Sequence, residues 1–317
     1  MILSVNGHDT YCYTGGKAFD PAKPTVVFIH GVLNDHSIWG LQTRYFANHG
    51  FNVLAPDLPG HCRSAGEPPS SVEEAAKFIL ALLDAAGVKK AALVGHSFGS
   101  LTALHAASLA PERVTYLALV ATASPMKVSA ALLDSSLNEP MKAIDMVVTF
   151  SHSMMAPPPS ALGPGTWLHG TGRALLKRVL ASNTKVNLFH RGFKACDDYV
   201  GAEAAIGKVT CPVLFLVARQ DSMTLPKMVQ PLQAVLPDQL VQGQARVHGR
   251  MKSFSANSRP SGASSMIWWP PSSTTVLPSF ARACSGWTIF GSVIESWRAT
   301  TNRTGQVTFP MAASAPT

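Results

Sequence analysis

The chain has 317 residues, which is enough for one large hydrophobic core and for one or two domains, and its formal net charge is +8. Seven basic residues but a single acidic one follow residue 240, so +6 of this charge belongs to the C-terminal stretch and +2 to the first 240 residues. A nearly neutral body argues against nucleic acid or a membrane surface as the binding partner.

Cysteine usage and the start of the chain predict a cytoplasmic protein. The cysteines are odd in number, widely spaced and free of C-x-x-C pairs, which favours reduced thiols over a disulfide or zinc framework; they are Cys12, Cys62, Cys196, Cys211 and Cys284. The first residues lack the basic segment and apolar run of a secretion signal, and no apolar run reaches the roughly 18 residues of a membrane helix. We therefore expect no secretion, no membrane span and no metal site.

Strand and helix patterns alternate over the first 120 residues. In chain order they predict edge strands within Met1–Tyr13, strands at Thr25–Ile29 and Asn52–Ala55, a helix that begins at the capping box Ser71–Glu74 and ends near Gly87, a strand at Ala92–Val94, a helix from Ser100 to about Leu109, and a strand at Leu117–Val120. Such alternation predicts an α/β fold with a parallel sheet and right-handed crossovers.

The most informative stretch of this half is the turn Gly95–Gly99, which reads G-H-S-F-G between an apolar strand and a helix. A G-x-S-x-G turn in this context holds its serine in a strained and exposed conformation, and the glycines avoid collisions with strand and helix. The helix that follows directs its positive dipole end towards the serine. We therefore interpret Ser97 as a nucleophile at the carboxyl end of a buried strand.

The alternation stops after Pro125. Residues 126–205 contain only helical or irregular patterns, and strand character returns at Pro212–Val217. An insertion of about 80 residues between two strands predicts a lid over the carboxyl ends of the strands, where α/β sheets bind ligands. The predicted units are a core of residues 1–125 and 206–240, a helical cap of residues 126–205 and an atypical tail of residues 241–317.

Four separated motifs carry a family resemblance; they are His30-Gly31, Asp57–His61, Gly95–Gly99 and Arg219–Asp221. In this order and spacing they resemble the α/β-hydrolase family, in its serine esterase and lactonase branch with a helical cap. The resemblance covers about residues 1–240 and implies the α/β-hydrolase fold, a mostly parallel central sheet flanked by helices with a cap insertion. One departure is Cys62, where the family usually has glycine.

The resemblance implies a catalytic triad and an oxyanion hole, and no cofactor. Ser97 would be the nucleophile, Asp221 the acid that orients the base, and the backbone N–H groups of Val32 and Phe98 the donors to the oxyanion. The base should come last in the chain, and His248 is the one histidine after Asp221, 27 residues further on. The residues around His248 do not match those of the family.

Four side chains are candidates for lining the substrate pocket, namely His30, His96, Met146 and Met223. The two histidines equally fit structural hydrogen-bonding roles, since the family uses neither as its base. Methionine adapts to irregular shapes, so the methionines of the insertion favour a small-molecule ester with an apolar acyl or aromatic group; they are Met141, Met146, Met154 and Met155. Ordinary packing is the alternative explanation for these methionines.

The composition changes from about Val241. Acidic residues nearly vanish, and Trp268–Ser273 fits neither strand nor helix, yet a disordered linker would rarely carry so many aromatic residues. We hypothesise that the tail is translated out of frame, because a reading one base earlier can turn Arg250–Ser261 and Ala263–Ser273 into a hydrolase-like ending. In that case His248 is an accidental histidine, and the tail is poorly ordered.

The leading functional interpretation is a serine hydrolase that acts on a carboxylic ester, thioester or lactone. Carbon–carbon bond hydrolysis and cofactor-free perhydrolysis on the same triad are alternatives within enzymes. A ligand-binding protein that keeps the pocket without the base is the alternative from another class. Haloalkane and epoxide chemistry is disfavoured, because the family members that perform it have aspartate at the position of Ser97. The sequence leaves the oligomeric state open.

Overall fold

The computed structural model of the protein describes residues 1–151, 168–218, 221–237 and 241–247. In these ranges the chain forms an eight-stranded sheet whose strands are β1 (Ile2–Val5), β2 (His8–Tyr13), β3 (Thr25–Ile29), β4 (Asn52–Pro56), β5 (Ala91–His96), β6 (Val114–Val120), β7 (Val213–Ala218) and β8 (Val241–Val247). Their order across the sheet is β1-β2-β4-β3-β5-β6-β7-β8. The pairs β1–β2 and β2–β4 are antiparallel, and all other neighbours are parallel. The predicted mostly parallel sheet is confirmed.

The described helices are α1 (Gly40–Asn48), α2 (Val72–Ala85), α3 (Phe98–Leu109), α4 (Ala130–Asn138), α5 (Pro140–Phe150), α6 (Leu168–Ala181), α7 (Leu188–Asp198), α8 (Ala202–Ile206) and α9 (Gln230–Val235). The predicted cap of α2 is present, since the Ser71 hydroxyl accepts a hydrogen bond from the backbone N–H of Glu74 at 3.2 Å. The Glu74 carboxylate reaches back to Ser70 instead of Ser71. Among the described residues, no helix combines the length and the apolar character that crossing a bilayer requires.

Both faces of the sheet are buried, as strand β3 illustrates. Its five residues are all buried, and successive side chains point to opposite faces. Val27 and Ile29 belong to a hydrophobic cluster with α2 and α3, whereas Val26 and Phe28 belong to a second cluster with α1, α5, α6 and α7. A parallel strand covered by helices on both sides needs a continuous apolar run, which explains the sequence T-V-V-F-I.

The described residues between β6 and β7 form helices joined by loops and contain no strand. Helices α4 to α8 lie in this segment, as its non-alternating pattern predicts. Residues 152–167, which include Met154 and Met155, lie outside the described ranges. The role of the insertion as a cap over the active site stays a prediction.

The sheet continues past the predicted end of the core at residue 240. Strand β8 pairs in parallel with β7, with Val213 opposite Val241 and Ala218 opposite Val247. A strand at the sheet edge needs backbone N–H and C=O groups more than it needs a regular apolar pattern. The division of the chain into core, cap and tail stays a prediction. Residues 248–317 lie outside the described ranges, so the frame hypothesis stays a prediction.

Candidate active site

Ser97 occupies a sharp turn between strand β5 and helix α3. Its backbone has φ 53° and ψ −121°, a positive-φ conformation that few non-glycine residues adopt. The backbone N–H of Ser97 donates to the carbonyl oxygen of Val120 on the neighbouring strand at 2.9 Å, which ties the turn to the sheet. The residue as a whole is partly exposed, so Ser97 is not completely enclosed by its neighbours.

Two glycines make this turn sterically possible. A Cβ atom added at Gly95 would lie 2.0 Å from the carbonyl oxygen of Gly99, and one added at Gly99 would lie 2.3 Å from the carbonyl oxygen of Ile29. Both distances are far below van der Waals contact. In this turn the backbone at Gly95 lies very close to Gly99, and the backbone at Gly99 lies very close to strand β3. The glycines of the G-x-S-x-G pattern make both approaches possible, as the motif predicts.

The loop after β3 lies directly against the turn. A Cβ atom added at Gly31 would lie 3.2 Å from the Cβ of Ser97. Val32 follows Gly31 and is partly exposed, and its backbone N–H donates no hydrogen bond within the described part of the chain. Phe98 is the first residue of α3, and the first N–H groups of a helix have no intrahelical acceptor. The two predicted oxyanion donors thus come from segments that meet at Ser97.

Asp221 follows strand β7 and has a fixed carboxylate. One carboxylate oxygen accepts hydrogen bonds from the backbone N–H groups of Met223 at 2.8 Å and Thr224 at 2.9 Å, and the other accepts from the Thr224 hydroxyl at 2.6 Å. Strands β5, β6 and β7 are parallel neighbours, so the chain leaves β5 towards Ser97 and β7 towards Asp221 at one edge of the sheet. A carboxylate has about four acceptor positions, so Asp221 retains capacity for a further donor such as an imidazole N–H.

His30 is fully buried, and both of its ring nitrogens form hydrogen bonds with backbone groups. Its Nε2 accepts from the backbone N–H of Leu58 at 3.1 Å, so Nδ1 carries the proton and donates to the Gly31 carbonyl oxygen at 2.9 Å. Burial lowers the pKa of His30, which keeps the ring neutral. This geometry departs from the expectation that His30 lines the pocket and agrees with the structural alternative, because its side chain offers no surface to a substrate.

His96 ends strand β5 beside the same loop. A Cβ atom added at Gly31 would lie 2.9 Å from the Nδ1 atom of His96, so this ring also packs against the loop that carries Val32. Burial of the ring, and after it the nearby His30, lowers the pKa of His96 to about 4. The residue as a whole is partly exposed, so contact with substrate stays a prediction for His96.

The comparisons with known proteins agree with this arrangement of strand, turn and helix. Residues 24–151 match the sequence model of a family described as alpha/beta hydrolase fold. The solved enol-lactonase from Burkholderia xenovorans LB400 matches with a TM-score of 0.61 at 20% identity, over 74% of this chain and 87% of that one. The chain has the α/β-hydrolase fold. At this identity the solved structure shows the shared fold and no more.

Two relatives of this α/β-hydrolase are named for different reactions. The chain is 34% identical over 105 residues to Lipase LipV of Mycobacterium tuberculosis, which is 33% of this chain and 40% of the lipase. It is also 34% identical over 95 residues to an epoxide hydrolase of Caballeronia sordidicola, which is 29% of each chain. The chain thus spans less than half of the length of either relative. The reaction has to be argued from the residues at the site.

The two candidate methionines of this α/β-hydrolase pack against the same hydrophobic cluster. Met146 lies on α5 and Met223 follows Asp221, and both are partly buried against the cluster that contains Phe28 and α6. The Ser151 hydroxyl contacts the Met223 sulfur at 3.4 Å. Their contact with a substrate stays a prediction.

A buried polar network beside the site was not foreseen from the sequence. Asp57 is fully buried and accepts hydrogen bonds from the His36 backbone N–H at 2.9 Å and from its Nδ1 at 2.7 Å. Burial alone would raise the pKa of Asp57, but the hydrogen bonds from His36 lower it below its usual value. The network ties the loop after β3 to the loop after β4. Asp57 lies within the motif Asp57–His61, but no sequence pattern identifies His36, which is 21 residues away, as its partner.

Asp35 extends this network to the helical insertion. Burial alone would raise the pKa of Asp35, but hydrogen bonds from Ser37 and the Arg178 guanidinium of α6 lower it to about 2. Asp35, His36 and Asp57 have potential metal-ligand atoms within 4.8 Å of one another. Arg178 already pairs with the Asp35 carboxylate, and the His36 Nδ1 hydrogen-bonds to the Asp57 carboxylate, so both carboxylates already have partners within the protein.

Cys62 lies at the rim of the same network. Its sulfur contacts the Asp35 carboxylate at 3.5 Å, and its backbone N–H donates to the Ser182 hydroxyl at 3.0 Å. Burial, followed by the negative charges of Asp35 and Asp57, raises the pKa of the Cys62 thiol to about 12. The thiol is therefore protonated near neutral pH, which disfavours a nucleophilic role for the residue that replaces the family's glycine.

Proposed function

We propose that this α/β-hydrolase is a serine hydrolase that cleaves a carboxylic ester, thioester or lactone through an acyl-enzyme on Ser97. The observation that carries the proposal is the positive-φ backbone of a partly exposed serine at a strand-to-helix turn. A non-glycine residue in a sparsely populated conformation costs about 1–3 kcal/mol, and such strain clusters at active sites. Ser97 in place of aspartate also favours ester chemistry over epoxide chemistry.

In the proposed reaction the Ser97 Oγ forms a bond to the substrate carbonyl carbon while its proton passes to the base. The electron pair of the C=O bond moves to the oxygen, and the backbone N–H groups of Val32 and Phe98 donate to the resulting oxyanion. Collapse of this intermediate expels the alcohol, thiol or lactone ring oxygen, which takes the proton from the base. A water molecule then cleaves the acyl-enzyme by the same route and restores the Ser97 hydroxyl.

His248 is the proposed base and Asp221 the acid that orients it. The order serine, acid, histidine along the chain is that of the α/β-hydrolase triad. His248 lies outside the described residues, but it follows Val247, the last residue of β8. Strand β8 is parallel to β7, so the carboxyl ends of both strands lie at the same edge of the sheet. Asp221 follows β7 at this edge. This order supports His248 as the base, and the frame hypothesis is its competitor.

The proposed substrate is a small molecule with an apolar acyl or aromatic group, and the reaction needs no cofactor. Relatives and structural neighbours include proteins named lipase and enol-lactonase, which favours an ester or lactone bond. The nearly neutral charge of the first 240 residues is compatible with an uncharged substrate.

A fluorophosphonate probe tests the nucleophile in the full chain. We expect stoichiometric labelling that peptide mass spectrometry assigns to Ser97, and no labelling of the Ser97→Ala variant. Ser108→Ala is the matched control and should label as the wild type does, because its hydroxyl donates to the His105 carbonyl oxygen within α3. Folded wild-type protein that does not react would instead support the non-catalytic ligand-binding alternative.

A second comparison separates the two interpretations of His248. If His248 is the base, His248→Ala should lower kcat on p-nitrophenyl esters by a factor on the order of 10⁶. If the frame hypothesis is right, this substitution changes little, and a chain with the ending restored by a single-base shift hydrolyses the esters far faster. The nucleotide sequence provides an independent check, because the hypothesis requires that shift to yield a hydrolase-like ending.

A further inference from the structure

Helix α7 of the insertion packs on the loop that carries Val32, and Gly192 makes this approach possible. A Cβ atom added at Gly192 would lie 2.9 Å from Cγ1 and 3.1 Å from Cγ2 of Val32. Ordinary contacts between carbon atoms are about 3.5–4.0 Å. Glycine in a helix interior costs about 1 kcal/mol relative to alanine, so its presence here calls for a packing reason. The contact with Val32 is such a reason.

Contacts that do not involve Val32 hold α7 in place. Arg191 donates to the carbonyl oxygen of Pro68 at 2.8 Å and pairs with the carboxylate of Glu67, which fastens the helix to the loop after β4. On the other side, the Asn187 side chain donates to the carbonyl oxygen of Ser136 on α4 at 2.9 Å. Since α7 is anchored from both sides, the helix can restrain Val32.

A small cavity of about 10 Å³ lies where α7 meets the residues of the two predicted oxyanion donors. Its lining includes Val32 and Phe98, together with Leu188, Arg191 and Gly192 of α7. A cavity of this size holds about one water molecule. Little free space therefore remains on this side of the loop, and a displacement of α7 would be transmitted to Val32.

We propose that Gly192 is a positioning residue, which lets α7 pack on the Val32 side chain and thereby fixes the loop whose backbone N–H donates to the oxyanion. The inference rests on the proposed function, because it concerns the oxyanion donor of that reaction. Gly192 acts through Val32 and has no side chain that could touch the reacting atoms.

The test is a double-mutant cycle in the full chain with Gly192→Ala, Val32→Ala and the two combined. The readouts are the rate constant for fluorophosphonate labelling of Ser97 and the kcat and KM for a p-nitrophenyl ester. In labelling, the Oγ–P bond forms, the P–F bond breaks, fluoride leaves with the bonding electrons and the hydroxyl proton passes to the base. The probe's phosphoryl oxygen takes the place of the oxyanion, so labelling reports on the donors.

We expect Gly192→Ala to slow labelling about 10- to 100-fold, which is less than the 10²- to 10³-fold loss typical of a deleted oxyanion donor. Val32→Ala should slow labelling several-fold, because the contact is lost. The double variant should label faster than either single variant, because the added methyl group at position 192 fills the space vacated by Val32. The loss should fall on kcat with KM nearly unchanged, since an oxyanion donor acts in the transition state.

Gly172→Ala in α6 is the matched control and should label as the wild type does, because its added Cβ would meet nothing closer than 3.9 Å. Labelling of Gly192→Ala at the wild-type rate, or a double variant slower than both single variants, overturns the proposal. If Gly192→Ala does not fold, the comparison of Val32→Ala with the double variant carries the same expectation. A folded wild type that is never labelled overturns the proposed function itself and this inference with it.

Discussion

The turn around Ser97 and the helical insertion are held in place by different kinds of contact. At the turn the restraints are steric and local, since Gly95 and Gly99 leave no room for a Cβ atom beside the neighbouring backbone. The insertion packs on the hydrophobic cluster that contains Phe28, and it is further attached by polar contacts between residues far apart in the chain, such as Arg178 with Asp35 and Asn183 with the carbonyl oxygen of Gly60. A local steric requirement produces a motif that can be recognised in the sequence, whereas polar pairs between distant residues produce no such motif. The family match accordingly ends at residue 151, before most of the insertion.

The energetic consequences of the two kinds of contact also differ. Arg178 is more than half exposed, so its ion pair with the buried Asp35 is partly screened and is worth on the order of 1 kcal/mol. The insertion is therefore held by many small contributions, and the loss of one should be tolerated. The turn depends on a few contacts that a single added methyl group would break.

After the loss expected for His248→Ala, the largest expected effect concerns the acid that follows β7. Asp221→Asn should lower kcat by about 10⁴-fold, because an amide does not stabilise the protonated base and favours the wrong imidazole tautomer. Steady-state kinetics on p-nitrophenyl esters measure the loss, with Asp145→Asn in the insertion as the control, since Asp145 pairs with Arg173 at the exposed surface. A loss below about tenfold would remove Asp221 from the triad.

The stability of the two regions should respond oppositely to glycine-to-alanine substitutions. Gly95→Ala should lower the free energy of unfolding by more than about 4 kcal/mol, because its Cβ would lie 2.0 Å from a carbonyl oxygen. Gly172→Ala should raise it by about 0.4–1 kcal/mol, because α6 has room for the methyl group and the unfolded chain loses entropy. Urea denaturation measures both, and comparable losses at the two positions would contradict the distinction between the regions.

A further expected effect is a pH dependence of stability that originates in a buried histidine. Burial, and after it the nearby His30, lowers the pKa of His61 from 6.5 to about 4, so the His61 ring is neutral in the folded protein near neutral pH. Between about pH 4 and pH 6.5 the unfolded chain binds a proton at His61 that the folded protein does not bind. The folded protein therefore has its full stability above pH 6.5 and loses part of it as the pH falls towards 4. The lowered pKa of His61 corresponds to roughly 3 kcal/mol in the free energy of unfolding.

His61→Gln should therefore flatten the fall in unfolding free energy between pH 6.5 and pH 4. Denaturation at several pH values measures this slope, and His49→Gln, at an exposed position, controls for the loss of a histidine as such. An unchanged slope in His61→Gln would show that other buried groups carry the pH dependence.

Much of the core and half of the site could be predicted from local patterns. The run Thr25–Ile29 matches strand β3 residue for residue, and the capping box at Ser71 marks the start of α2. The turn around Ser97 has the predicted strand before it and the predicted helix after it. These features are readable because apolar period, helix capping and glycine sterics act over a few neighbouring residues.

The sequence by itself determined the fold class, the sharp turn around Ser97 and the order in which Ser97 and Asp221 follow their strands, because each depends on neighbours in the chain. Only the tertiary structure decided that β8 extends the sheet to Val247, that His30 uses both ring nitrogens inside the core and that Gly192 lies against Val32. The physical reason is that edge pairing, the hydrogen-bond partners of a buried ring and the closeness of two elements depend on groups that are far apart in sequence.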